Sequence, residues 1–205
     1  MSTVPIRKVL LTGFEPFDGE LCNPSWDATA RFDGIEIAGA KIYVQRLPVE
    51  FAGAMAALAP CIHQLMPDVV IAIGQAGGSS TIALERVALN FVDPRIADDA
   101  GLKPVLGKLD DAAPAAYFSN FPISAAVQAL NNAQIPAQAS LSAGAFVCNA
   151  LYFQLCQLRE QHFPHMQTLF MHIPYAPEQI CGKNIGAPCL PIHRVVAAIR
   201  ILLAC

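Results

Sequence analysis

The chain has 205 residues, enough for one large domain with a substantial buried core. Charged residues make up 14% and hydrophobic ones 54%, against roughly 25% and 45–50% in an ordinary soluble domain. A net charge of −3 with no basic run argues against a nucleic-acid surface. No run of about 18 apolar residues suits a membrane span, and the N-terminus lacks the apolar region and cleavage pattern of a signal peptide. The expectation is a cytoplasmic protein that covers its apolar surface in subunit interfaces. No linker, repeat or low-complexity tract divides it, so residues 1–205 are read as a single domain.

Lys8 to Gly13 is a short β-branched apolar run and predicts a buried strand. Asn23 followed by Pro24 supplies a helix cap and a first helical residue, predicting a helix to about Phe32. Ala40 to Leu47 predicts a second strand. Glu50 to Met66 has helical spacing of Phe51, Met55, Leu58, Ile62 and Leu65. Asp68 to Gly74 is apolar on both faces, as a central parallel strand is. Arg86 to Phe91 predicts another strand, followed by an irregular stretch through Leu109 that is long enough to suggest function. A helix over Pro122–Asn132, a strand over Ala137–Leu141, a helix from Cys148 to Gln161, a strand over Leu169–Ile173 and a helix over Ile192–Leu203 complete the pattern. Alternating strands and helices predict an α/β sandwich with a mostly parallel central sheet.

The seven cysteines, at positions 22, 61, 148, 156, 181, 189 and 205, form no CxxC pair. An odd count without paired spacing fits free thiols in a reducing compartment. Cys148 stands apart because it follows a Gly144 turn at a predicted helix start. A helix N-terminus favours a thiolate and leaves N–H groups free to hold an oxyanion. A free thiol with a pKa near 8.5 is only about 3% ionised at pH 7, so such help matters. By position alone, Cys148 is either this nucleophile or a buried thiol. His172 is likewise either a base or a satisfied core histidine, and Glu85 either its orienter or a surface carboxylate paired with Arg86. Glu85 is placed in the loop after the strand ending at Gly74. Cys, His and a carboxylate together say more than each alone. His162 and His165 lack further ligands at metal-binding spacing, and Gly74-Gln-Ala-Gly-Gly78 lacks the spacing of a phosphate loop.

Gly13-Phe-Glu-Pro-Phe17, Asn23-Pro-Ser-Trp26, Gly74-Gln-Ala-Gly-Gly78, Glu85-Arg-Val-Ala-Leu-Asn90, Ser142-Ala-Gly-Ala-Phe-Val-Cys-Asn149 and His172-Ile-Pro-Tyr-Ala-Pro-Glu-Gln179 occur in this order. Together they resemble the pyroglutamyl peptidase I (pyrrolidone-carboxylate peptidase) family, cysteine peptidases that remove an N-terminal pyroglutamate. The resemblance runs from Lys8 to the last helix. It implies a three-layer α/β/α sandwich related to nucleoside phosphorylases, a homotetramer, and a peptide substrate, with no metal and no cofactor. It implies Glu85, Cys148 and His172 as the catalytic residues. Phe14 and Phe17 are implied to flank the lactam ring, Gln75, Ile96, Phe146 and Val147 to line the rest of the pocket, and Arg95 to stand near the reaction centre.

Ser79 replaces the family's usual Arg, Ala83 a Ser or Thr, and Ala145 a Thr. These departures remove hydroxyls and a guanidinium beside the site and leave the implied triad intact. They motivate one rival reading, a weakly active homologue that keeps the pocket and acts as a binding protein. A nucleoside phosphorylase on the related sandwich is the other.

Overall fold

The computed structural model describes residues 6–181 and 184–205. Its strands are β1 (Arg7–Phe14), β2 (Glu36–Ile37), β3 (Ala40–Leu47), β4 (Val69–Gln75), β5 (Ile82–Glu85), β6 (Val87–Leu89), β7 (Ala116–Phe118), β8 (Ala137–Ser140) and β9 (Gln167–Ile173). The α-helices are α1 (Pro24–Thr29), α2 (Gly53–Leu65), α3 (Ile123–Asn132), α4 (Val147–His162) and α5 (Ile192–Leu203). Short 3-10 turns follow at Ala30–Phe32 and Pro177–Ile180. No helix among the described residues is long and apolar enough to cross a membrane.

The main sheet runs β2-β3-β1-β4-β9-β5-β8. Pairing is parallel except at β2–β3 and β5–β9. The expected α/β sandwich with a mostly parallel sheet is thus the observed fold. Side chains alternate across a strand with period two, and here the alternation builds two cores. Val9, Leu11, Val69, Ile71, Ile73, Leu169, Met171 and Ile173 pack with residues of α1, α3 and α5 on one face. Leu10, Phe14, Val70, Ala72 and Phe170 pack with residues of α2 and α4 on the other.

This parity sets the direction of the candidate side chains. His172 follows Phe170 by two residues, so its side chain leaves β9 on the α4 face. Gly74 does the same on β4, two residues after Ala72. On β5, Ile82 and Leu84 belong to the opposite core, which turns Ala83 and Glu85 toward α4.

The structure corrects the sequence reading around Glu85. This residue ends a four-residue strand, where a loop was expected. A strand this short, entered from Gly-Gly-Ser-Ser-Thr, carries too few residues for a periodic signal. β5 is antiparallel to β9, with Ala83 opposite His172 and Glu85 opposite Phe170. The strand expected over Arg86–Phe91 is confined to Val87–Leu89 and pairs with β7 in a separate two-stranded ribbon. Between them, Asn90 gathers the base of the long loop. Its Nδ2 donates to the carbonyls of Asp110, Ala113 and Pro114, and its Oδ1 accepts from the N–H groups of Leu109 and Asp110.

Candidate active site

The start of α1 fixes one wall of the site. Asn23 Oδ1 accepts from the Ser25 N–H and Oγ, its Nδ2 donates to the Glu15 carbonyl, and Ser25 Oγ accepts from the Phe14 N–H. β1 and the helix approach so closely that a Cβ on Gly13 would stand 2.7 Å from Ser25 backbone atoms. Glycine is the residue that permits this contact. Phe14 is thereby held buried at the end of β1.

α4 supplies the second wall. Its first backbone bond runs from the Ala150 N–H to the Phe146 carbonyl. The N–H groups of Val147, Cys148 and Asn149 therefore precede the helical ladder. The Asn149 side chain anchors this turn: Oδ1 accepts from Leu89 N–H, and Nδ2 donates to the Leu89 and Phe91 carbonyls, each at 2.9 Å. Phe146 packs edge-to-face on Phe51, centroids 5.3 Å apart. Sequence reasoning did not assign Asn149 a role; its place beside Cys148 in the first turn was the available signal.

Cys148, His172 and Glu85 meet between these walls. His172 Nδ1 lies 2.8 Å from Glu85 Oε1, and His172 lines the same cavity as Cys148. Glu85 is 1% exposed. Arg86, the neighbour considered as its partner, donates instead to Ser124 Oγ. Tyr152 of α4 donates its hydroxyl to the Glu85 carbonyl at 3.0 Å and fixes the end of β5. Burial pushes the His172 pKa down, but the neighbouring Cys148 and Glu85 side chains outweigh it. The net effect raises that pKa from 6.5 to about 9.

A cavity of about 190 Å³ opens onto this cluster. Of the residues expected to bind substrate, Phe14, Phe17, Gln75, Phe146 and Val147 line it together with Cys148 and His172. Asn23, Val49 and Ala76, not singled out from sequence, complete the lining. Arg95 and Ile96 line an adjoining cavity of about 300 Å³ with Asp93 and Ala145, behind a wall of Phe17 and Phe146 that both cavities share. Both stand on the long loop, one aromatic wall from the cavity that holds Cys148. His162 and His165, weighed as metal ligands, border a separate cavity with Met66 and Asp68.

The departures from the resemblance can also be located. Ser79 closes a local turn with Thr81 through Oγ. Ala83 faces His172 across the sheet. The Ala145 carbonyl accepts from the Asp93 N–H.

A family model described as Pyroglutamyl peptidase matches residues 7–205. The chain belongs to the pyroglutamyl peptidase family. It is 46% identical over 193 residues to pyrrolidone-carboxylate peptidase 1 of Ralstonia nicotianae, covering 94% of this chain and 89% of that protein. It is 41% identical over 195 residues to the pyrrolidone-carboxylate peptidase of Bacillus subtilis, covering 95% and 90%. The crystal structure of pyroglutamyl peptidase I from Bacillus amyloliquefaciens superposes with a TM-score of 0.93 at 41% identity, over 96% of this chain and 93% of that one. The pyrrolidone carboxyl peptidase of Thermococcus litoralis superposes at 0.92 with 33% identity, over 96% and 91%. Membership makes the chain a cysteine hydrolase of the peptidase class.

Proposed function

We propose that the chain hydrolyses the amide bond after an N-terminal pyroglutamate, with Cys148 as nucleophile, His172 as general base and Glu85 as orienter. The observation that carries this reading is the Glu85–His172 hydrogen bond beside Cys148, with His172 and Cys148 lining one largely apolar cavity. A nucleophile, its base and the group that fixes the base make up the constellation that acyl transfer needs.

With Nδ1 committed to Glu85, the imidazole turns Nε2 toward the thiol. Nε2 takes the Cys148 proton, and the sulfur attacks the carbonyl carbon that links pyroglutamate to the next residue. N–H groups of the first α4 turn hold the oxyanion. The imidazolium then protonates the leaving amine as the C–N bond breaks. Water, deprotonated by His172, attacks the thioester and releases free pyroglutamate and the thiol. Arg95 and Ile96, one wall away, act on the substrate beyond its first residue in this scheme.

Phe14 and Phe17 suit a flat neutral ring, whose burial contributes a few kcal/mol, about the value of one buried apolar side chain. A charged proline amine in the same cavity would cost several kcal/mol or lose its proton. Residues 1–205 form one catalytic domain in this proposal, acting in the cytoplasm as a homotetramer. Exposed Leu21, Val105 and Ile185 supply apolar surface for such contacts, and light scattering measures the assembly.

Hydrolysis of a chromogenic pyroglutamyl amide, with Cys148→Ser as control, tests the function. The kcat/KM should exceed that for the matching prolyl amide by at least roughly 10³-fold. Comparable rates on the two amides, or none on the first, would overturn it; the second outcome would leave the binding-protein reading.

A further inference from the structure

Gln75 lines the cavity that contains Cys148, and its Oε1 accepts a hydrogen bond from Gln179 Nε2 at 2.9 Å. Gln179 is 5% exposed. Its amide has only one satisfied orientation. Oε1 accepts from the Ala176 backbone N–H at 2.9 Å, while Nε2 reaches the Cys22 backbone carbonyl at 3.5 Å. A backbone N–H only donates and a backbone carbonyl only accepts. Turning the Gln179 amide round would set donor against donor and acceptor against acceptor.

That constraint passes to the next amide. Facing an N–H of Gln179, Gln75 has to offer its oxygen, which leaves its own Nε2 to the other side. We infer that Gln179 is a positioning residue: it fixes the polarity of Gln75 so that an amide N–H faces the cavity and selects a substrate ring bearing a carbonyl acceptor. Resting on the proposed peptidase function, the acceptor is the lactam oxygen of pyroglutamate, which proline lacks. Apolar walls set the size of the occupant, and this relay sets which polar atom the occupant must carry.

The test uses the full-length protein and small cyclic probes. 2-Pyrrolidone carries the carbonyl and an N–H; cyclopentanone carries the carbonyl alone. The readout is the probe concentration that halves the rate of Cys148 alkylation by iodoacetamide, alongside kcat and KM on a pyroglutamyl amide. In Gln179→Glu both carboxylate oxygens accept, so Gln75 turns its Nε2 toward Glu and shows oxygen to the cavity. Half-protecting concentrations of both probes should rise roughly ten- to hundredfold, as for loss of a buried hydrogen bond. KM should rise with them, while kcat and unprotected alkylation change by less than about threefold. Gln179→Met, which gives no instruction, should produce a smaller rise of about two- to fivefold, and it decides the matter if the Glu variant does not fold.

Unchanged protection in both variants would overturn the inference. So would tighter cyclopentanone protection in Gln179→Glu, a wild type that neither probe protects, or loss of unprotected alkylation in parallel with protection. A wild type that is protected yet hydrolyses no pyroglutamyl amide would sink the peptidase reading and leave the relay standing.

Discussion

Gly74 and Cys148 compete for one space: a Cβ on Gly74 would stand 2.9 Å from the Cys148 sulfur and 3.0 Å from Cζ of Phe170. The strand opposite the Cys148 sulfur therefore has to be bare at this point. Gly74→Ala should push the thiol aside while leaving the fold in place. Overpacking of this kind costs about 1–3 kcal/mol, whereas misplacing a reacting atom by about 1 Å costs on the order of 10²-fold in rate. Purified Gly74→Ala should melt cooperatively with kcat reduced about a hundredfold. Full activity would show that the sulfur has room the geometry denies it.

Cys148 should be the first of the seven thiols to be alkylated. It stands half-buried at a cavity with an imidazole beside it. Burial raises the pKa of Cys156 to about 11, and raises those of Cys22 and Cys205 as well. Limiting iodoacetamide followed by peptide mapping should find the label on Cys148, in step with inactivation. Inactivation that tracks Cys22 or Cys205 instead would remove Cys148 as nucleophile.

Loss of the proposed triad should be severe and non-additive. Cys148→Ala and His172→Ala should each lower kcat by about 10³-fold or more, and the double variant by little beyond that. Glu85→Gln should cost less than either, since it orients the base without attacking. Turnover of His172→Ala near that of the parent would exclude it from the chemistry.

The raised pKa of His172 makes stability depend on pH. Its folded value, about 9, lies above its ordinary value of 6.5, so the native state binds this proton more tightly than the unfolded chain does. The stability it contributes is fully present below about pH 6.5 and is lost as pH rises through about 9. Urea midpoints of the parent and of His172→Gln, compared from pH 6 to 9.5, should show the parent's advantage shrinking across that window. An advantage that grows toward pH 9 would contradict the proposed charge balance.

Much of this was legible in the sequence because it rests on local rules. The Asn23–Pro24 cap opens α1, with the Asn23 side chain accepting from Ser25. The doubly apolar run after Asp68 became the central β4, and the bounds of the β3 and α5 segments were read without error. The glycine turn before Cys148 marked the start of α4, which begins at Val147. What stayed hidden depends on distant pairing. Nothing local marks Ile82–Glu85 as a strand, because its partner β9 lies far along the chain and runs the opposite way. Arg95 and Ile96 sit on a loop whose path is fixed by Asn90 and by Asp98, which accepts from the Phe51 and Leu102 N–H groups. The Gln75–Gln179 contact spans 104 positions and leaves no periodic trace.

The middle of the sheet is filled late. β9 lies between β4 and β5, yet it is the last of the sheet's strands to leave the ribosome. Until residues 167–173 emerge, β4 and β5 have no shared neighbour, and the Cys148 thiol is synthesised without its imidazole. Under the proposed mechanism, a growing polypeptide of this design is catalytically silent through most of its translation. The same order exposes two unpaired strand edges during that interval, a liability in a crowded cell. Insertion of one seven-residue strand closes both edges and brings the imidazole to the sulfur in a single event.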